Sequence, residues 1–158
     1  MNRFVKRLLT TLLFSGSVMG LYATGINTTM PQQNQSAAFL KTNSKEPGVV
    51  TLPNGLQYKI IHEGKGPKPQ ATSTVTVDYE GKLINGQVFD SSYARKQPIS
   101  FALNQVIPGW QQGVALMPMG STWILYIPSD LAYGDQGVPG TIPPNSALIF
   151  KVHLIDIK

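Results

Sequence analysis

Hydrophobic and polar positions alternate most clearly from residue 74 onward, where Val75, Val77, Tyr79 and Leu83 interleave with Thr74, Thr76, Asp78, Glu80 and Lys82. A period of two sends successive side chains to opposite faces, so this stretch predicts a strand with one buried face. Asn85-Gly86 is a strong turn pair, and Val88 to Ser91 is expected to return as the second arm of a hairpin. Val49 to Leu52 and Leu56 to Ile61 flank a second turn, Pro53-Asn54-Gly55. Ile99 to Leu103 and Trp123 to Ile127 read as short strands. Ala147 to Ile157 reads as a long final one, with Leu148, Phe150, Val152 and Leu154 on one face and Lys151 and His153 on the other. One good helix candidate stands among them. Pro108 suits a first helical position, Trp110, Val114 and Met117 recur at spacings of four and three, and Pro118 and Gly120 stop the run. Its apolar stripe needs a partner, and the sheet is the large one available. The expected fold class is α+β: a curled antiparallel sheet of about five to six strands over one short helix.

The N-terminal third has a different pattern. Arg3, Lys6 and Arg7 precede an apolar stretch from Leu8 to Met19, diluted by small polar residues, and Leu21-Tyr22-Ala23 offers a small residue for cleavage. This is the layout of a secretory signal peptide, expected over residues 1–23. The run is too short and broken for a membrane-spanning helix, which wants about 20 apolar residues, so no stable membrane anchor is expected. The mature chain is expected to be exported, to the periplasm or cell envelope or beyond it. Residues 24–48 are rich in Asn, Gln and Thr and read as a flexible linker, with about one helical turn at Ala37 to Lys41. The folded domain is expected over residues 49–158.

Composition narrows the chemistry. The chain has no cysteine, which removes disulfides, thiolate nucleophiles and thiolate metal sites. The net charge of +5 falls to +2 without the three basic leader residues, and the remaining lysines are dispersed, so nucleic acid is not an expected partner. His62 sits in a polar turn and His153 on an outward face, which suits neither a general base nor a metal ligand. Ser91 and Ser92 lack a nucleophile-elbow setting, and no carboxylate pair lies near Asp90. No metal and no cofactor are expected.

What remains is an apolar slot. Four blocks supply it: Val88-Phe89-Asp90-Ser91-Ser92, Val106-Ile107-Pro108-Gly109-Trp110, Leu131-Ala132-Tyr133-Gly134 and Ile142-Pro143-Pro144. Each aromatic residue taken alone reads as core. Their polar company points further. Asp90 follows Phe89 in an apolar neighbourhood where an unpaired charge is costly, and Tyr79 on the next strand is the expected donor to it. The Pro- and Gly-rich segment from Tyr133 to Pro144 is a long loop able to overhang a pocket.

These four blocks, in this order, resemble the FKBP-type peptidyl-prolyl cis-trans isomerases, over about Val49 to Lys158. Leu56-Gln57-Tyr58-Lys59, Gly120-Ser121-Thr122-Trp123 and Leu131-Ala132-Tyr133-Gly134-Asp135 look closest to the bacterial macrophage infectivity potentiator branch, an exported group. The resemblance implies an isomerase of Xaa–Pro bonds that speeds the folding of exported proteins. It makes Trp110 the pocket floor and Tyr79, Phe89, Val106, Ile107 and Phe150 the walls. It makes Asp90 the buried carboxylate and Tyr133 the phenol that donates to a substrate carbonyl. The Ile107 backbone N–H becomes a second donor, and Ile142 a contact on the overhanging loop. Phe101 supplies a further ring, although some members carry a Phe where this chain has Ile99, and Val138 replaces a larger residue. The implied partners are proline-containing unfolded or flexible polypeptides, with tacrolimus- or rapamycin-type macrolides as inhibitors. Branch members often carry an N-terminal dimerisation region, and the short stretch before Val49 leads to the expectation of a monomer. A chaperone or binding module with little catalysis would use the same pocket, and remains the alternative.

Overall fold

The computed structural model describes residues 30–158. The expected leader and its cleavage site lie outside the described residues. Seven strands form one sheet: β1 (Val49–Thr51), β2 (Gln57–His62), β3 (Thr74–Leu83), β4 (Val88–Ser91), β5 (Ile99–Ala102), β6 (Thr122–Ile127) and β7 (Leu148–Ile157). Every pairing is antiparallel, in the order β1-β2-β6-β7-β3-β4, with β5 also on β3. The strand number exceeds the expected five to six, with the three residues of β1 adding a short edge strand on β2. The α+β architecture is otherwise the expected one.

β3 organises the molecule. One edge pairs along its whole length with β7. The other edge is shared: Glu80 to Lys82 pair with β4, and Thr74 to Val77 pair with β5. Between those two partners the chain leaves the sheet and forms a four-residue helix, α2 (Ser92–Arg95). The expected alternation holds along β3, where Val75, Val77, Tyr79 and Leu83 are buried. Gly81 occupies the remaining inward position. A Cβ there would lie 2.6 Å from Phe89 Cζ and 2.7 Å from Phe150 Cε1, so only glycine admits both rings.

The inward face of the sheet packs on α3 (Pro108–Val114). A Cβ on Gly109 would meet Ile127 Cγ2 at 2.3 Å, which shows how near the helix backbone lies to β6. α3 ends at Val114, three residues before the expected Met117. Turn hydrogen bonds from Leu116 to Gly113 and from Met117 to Val114 carry the chain on, and Met117 remains fully buried.

The opposite face holds the main departure from the sequence reading. Residues 24–48 were expected as a flexible linker, yet Gln32–Asn43 form a twelve-residue helix, α1, docked on the sheet. Gln57, Tyr126 and Ile149 are register partners across β2, β6 and β7 and share this outer face. Phe39 of α1 lies 6.2 Å from the Tyr126 ring. Gln57 is buried beneath the helix, where it accepts from Asn43 Nδ2 (2.7 Å) and donates to the Leu40 carbonyl (2.8 Å). Ser36 is buried too. The docking face of α1 is therefore largely polar, and hydrogen bonds replace the apolar stripe that would have announced it.

Candidate active site

The hairpin and α2 build a buried polar cluster from consecutive residues. Asp90 ends the inward run of β4 and is 6% exposed. The next residue, Ser91, caps α2 by accepting from the Ala94 N–H at 3.2 Å. Ser92 donates to Asp78 (2.7 Å) and accepts from the Tyr79 N–H (2.8 Å), which ties the start of α2 to β3. Lys96 then closes the helix in the left-handed conformation at φ 52°. This tight turn swings Arg95 back over Asp90. Arg95 Nη1 lies 2.5 Å from Asp90 Oδ1, and Nη2 donates to the Tyr79 hydroxyl at 3.2 Å. Tyr79 in turn donates its O–H to Asp90 Oδ2. The expected Tyr79–Asp90 pair is present, and Arg95 completes it.

Five rings lie in contact beside this cluster. Trp110 is at their centre, edge-to-face with Tyr79 (5.4 Å between centroids), Phe150 (5.3 Å) and Phe101 (5.5 Å). Phe89 packs on Phe150 at 5.5 Å. Tyr79, Trp110 and Phe150 are buried, whereas Phe89, Phe101 and Tyr133 are partly exposed. Val106, Ile107 and Ile142 are buried in the same core, with Tyr133 and Val138 packed against it. All ten residues singled out from the sequence thus belong to one cluster. The Ile107 carbonyl receives the N–H groups of Trp110 and Gln111, and the Gln111 side chain holds the Val106 carbonyl at 2.6 Å. Those bonds fix the segment that presents the Ile107 backbone at the start of α3.

Electrostatics keep the phenols neutral. Burial pushes the Tyr79 hydroxyl well above the usual phenol range, and its hydrogen bond to the Asp90 carboxylate adds to this against the opposing pull of Arg95. Burial raises Tyr133 as well, reinforced by Tyr79 and Asp90 nearby. Arg95 is lowered by burial but raised more by its bonds to Asp90 and Tyr79, so it stays charged. At neutral pH the site presents two protonated phenols and a guanidinium–carboxylate pair.

Sequence reasoning missed Arg95 and Gln111. A four-residue helix is too short to show periodicity, but the Ser91 cap and the spacing of four between Ser91 and Arg95 were available signals. The two histidines stand apart from the cluster: His62 is exposed on β2, and His153 pairs with Thr122 at 2.9 Å on β6 and β7.

Comparison with known proteins matches this arrangement to a family. The model of the FKBP-type peptidyl-prolyl cis-trans isomerase domain fits residues 66–155. The chain belongs to the FKBP-type peptidyl-prolyl isomerase family. Residues 23–60 match a second model, described as the domain amino terminal to FKBP-type peptidyl-prolyl isomerase, which spans α1. The chain is 57% identical over 124 residues to peptidyl-prolyl cis-trans isomerase Mip of Coxiella burnetii, covering 78% of this chain and 54% of that protein. It is 55% identical over 121 residues to the outer membrane protein MIP of Legionella longbeachae, covering 77% and 52%. The chain thus spans about half the length of these curated relatives. A crystal structure of a peptidyl-prolyl isomerase from Pseudomonas syringae pv. tomato superposes with a TM-score of 0.77 at 37% identity, covering 84% of this chain and 99% of that one. Among the described residues no helix is long and apolar enough to cross a membrane.

Proposed function

We propose that this chain catalyses cis–trans isomerisation of Xaa–Pro bonds in unfolded or flexible polypeptides, with residues 49–158 as the isomerase domain. The observation that carries the reading is the joining of five aromatic rings to a buried Asp90–Tyr79–Arg95 cluster.

Amide resonance gives the C–N bond partial double character, and rotation about it meets a barrier of about 20 kcal/mol. At the top of that barrier resonance is lost and the amide is less polar. An apolar, ring-lined site favours this twisted form over the planar one more than water does. No covalent bond forms and no proton moves. A millionfold acceleration would require about 8 kcal/mol of selective stabilisation. The proline ring sits over Trp110 between Tyr79, Phe89, Phe101 and Phe150, with Val106, Ile107 and Ile142 completing the apolar wall. The Tyr133 hydroxyl and the Ile107 N–H donate to substrate carbonyls. Asp90 acts by orientation and field rather than as a base, since the substrate has no proton to remove.

The family implies macrolides of the tacrolimus type as competitors for the same rings. Export to the cell envelope is part of this reading, supported by the basic and apolar leader and by the outer-membrane relative. The test is a protease-coupled prolyl tetrapeptide assay on the chain from Thr24 onward. Turnover that tacrolimus abolishes, and that Trp110→Ala and Tyr133→Ala each reduce at least tenfold, is the expected result. Tacrolimus binding without turnover would favour the binding-module alternative, and full activity in both variants would misplace the site.

A further inference from the structure

The overhanging segment between β6 and β7 is closed at its base by one backbone bond, from the Asn145 N–H to the Gly134 carbonyl at 2.8 Å. Asn145 sits in the left-handed region at φ 59°, so this closure is built on a conformation that few residues adopt freely. Inside the loop, Val138 and Ile142 exchange hydrogen bonds of 2.9 and 2.8 Å, which holds Ile142 against the ring cluster. Gly134 follows Tyr133 directly. The geometry of both loop residues of the site therefore depends on where Asn145 is held.

Asn145 is held from the opposite side of the sheet. Ser36 of α1 donates its hydroxyl to the Asn145 carbonyl at 2.8 Å and accepts from the Ala147 N–H at 2.9 Å. A single buried hydroxyl thus engages the peptide groups on both sides of Ser146. Ser146 turns the other way and donates to the Pro143 carbonyl at 2.7 Å. Gln35, next to Ser36, and Gln32, one turn earlier in α1, line a small cavity with Leu83, Ile84, Asn85 and Pro143, so the helix approaches the same loop a second time. Other α1 contacts, from Asn43 and the Leu40 carbonyl to Gln57 and from Phe39 to Tyr126, lie further along the helix, on β2 and β6.

We propose that Ser36 is a positioning residue for the isomerase site: through Asn145 and Gly134 it sets the placement of Tyr133 and Ile142, and so links the N-terminal helix to substrate binding. The proposal rests on the isomerase reading for its kinetic consequence, but not for its structural one. Without the Ser36 hydroxyl the Ala147 N–H and Asn145 carbonyl lose their partner, and the base of the loop opens more often.

The experiment compares Ser36→Ala, Ser36→Thr and Asn43→Ala in the full chain. Amide hydrogen exchange is read at Asn145, Ile142 and Ala147, and kcat/KM is read on a prolyl tetrapeptide. Ser36→Ala is expected to speed exchange at these amides at least tenfold and to lower kcat/KM three- to tenfold. Ser36→Thr, which keeps the hydroxyl, is expected to restore both to within about twofold. Asn43→Ala, which loosens α1 away from the loop, is expected to leave both within twofold. Should Ser36→Ala fail to fold, Ser36→Cys, which keeps the volume and weakens the bonds, takes its place with the same expectations. Unchanged loop exchange in folded Ser36→Ala or Ser36→Cys, or faster exchange there with unchanged kcat/KM, would overturn the proposal. An equal fall in Asn43→Ala would overturn it too, because α1 would then act only through general stability. A wild-type chain inactive on the peptide would sink the isomerase reading, while the exchange comparison would still decide whether Ser36 holds the loop.

Discussion

At the level of single residues, Asp90 is the most consequential position. Its side chain is 2% exposed and its oxygens are shared between Arg95 and Tyr79. Taking two charges from water is expensive, so a buried pair need not stabilise a fold, whereas removing one partner leaves the other uncompensated. Arg95 is partly exposed, which softens that loss. Arg95→Leu is expected to cost about 1–3 kcal/mol in urea unfolding. Adding Asp90→Leu should recover most of it, since the uncompensated charge is gone. Isomerase activity should fall in the single variant and stay low in the double one. Stability and activity that recover together would show the carboxylate to be dispensable for catalysis. Arg95 was harder to read, because its signal in the sequence was only the Ser91 cap and a spacing of four. Asp90 announced its need for donors and Tyr79 answered by strand register, but the guanidinium arrives through a helix of four residues.

At the level of elements, legibility followed the kind of packing. β3 and β7 were readable because each buries one face, and burial of one face enforces a period of two. α3 was readable because Trp110 and Val114 form a stripe. α1 was not. Its inward positions, Gln32, Gln35, Ser36, Phe39, Leu40 and Asn43, recur at helical spacing, yet four of the six are polar. A search for hydrophobic periodicity passes over such a helix, because what docks it is hydrogen bonding to Gln57, Asn145 and Ala147. Gln57 makes this testable. Gln57→Ala leaves the Leu40 carbonyl and Asn43 without their buried partner, and about 1–3 kcal/mol of stability should be lost, read as a lower urea midpoint. The close approaches at glycine give a complementary prediction. Gly81→Ala puts a methyl where Phe89 and Phe150 converge, so it should cost about 1–3 kcal/mol and depress kcat/KM together, as the rings are forced from their edge-to-face contact. A fully active, fully stable Gly81→Ala chain would mean the rings move freely and do not define the site.

For the whole molecule, the buried phenols set the alkaline limit. Tyr79 and Tyr133 both have folded-state values raised above the ordinary 10.0 of a phenol. Below pH 10 each is protonated in the folded and unfolded chain alike, and whatever stability burial brings is fully present. Above pH 10 the unfolded chain releases these protons while the folded chain keeps them. The unfolded state then binds fewer protons, and linkage makes unfolding easier by about 1.4 kcal/mol per pH unit for each such phenol. The urea midpoint should therefore be flat from pH 7 to 9 and fall steeply from pH 10 to 11. Tyr79→Phe should lower that slope by up to about 1.4 kcal/mol per pH unit, because its proton no longer takes part, while Tyr133 and the raised phenols of Tyr93 and Tyr126 still contribute. Activity on a prolyl peptide should show no inflection between pH 6 and 9, since neither phenol changes state there and the proposed mechanism transfers no proton. An activity profile that rises or falls tenfold across that window would require an ionising group in the reaction itself, and the reading of the site as an apolar chamber with neutral donors would have to be abandoned.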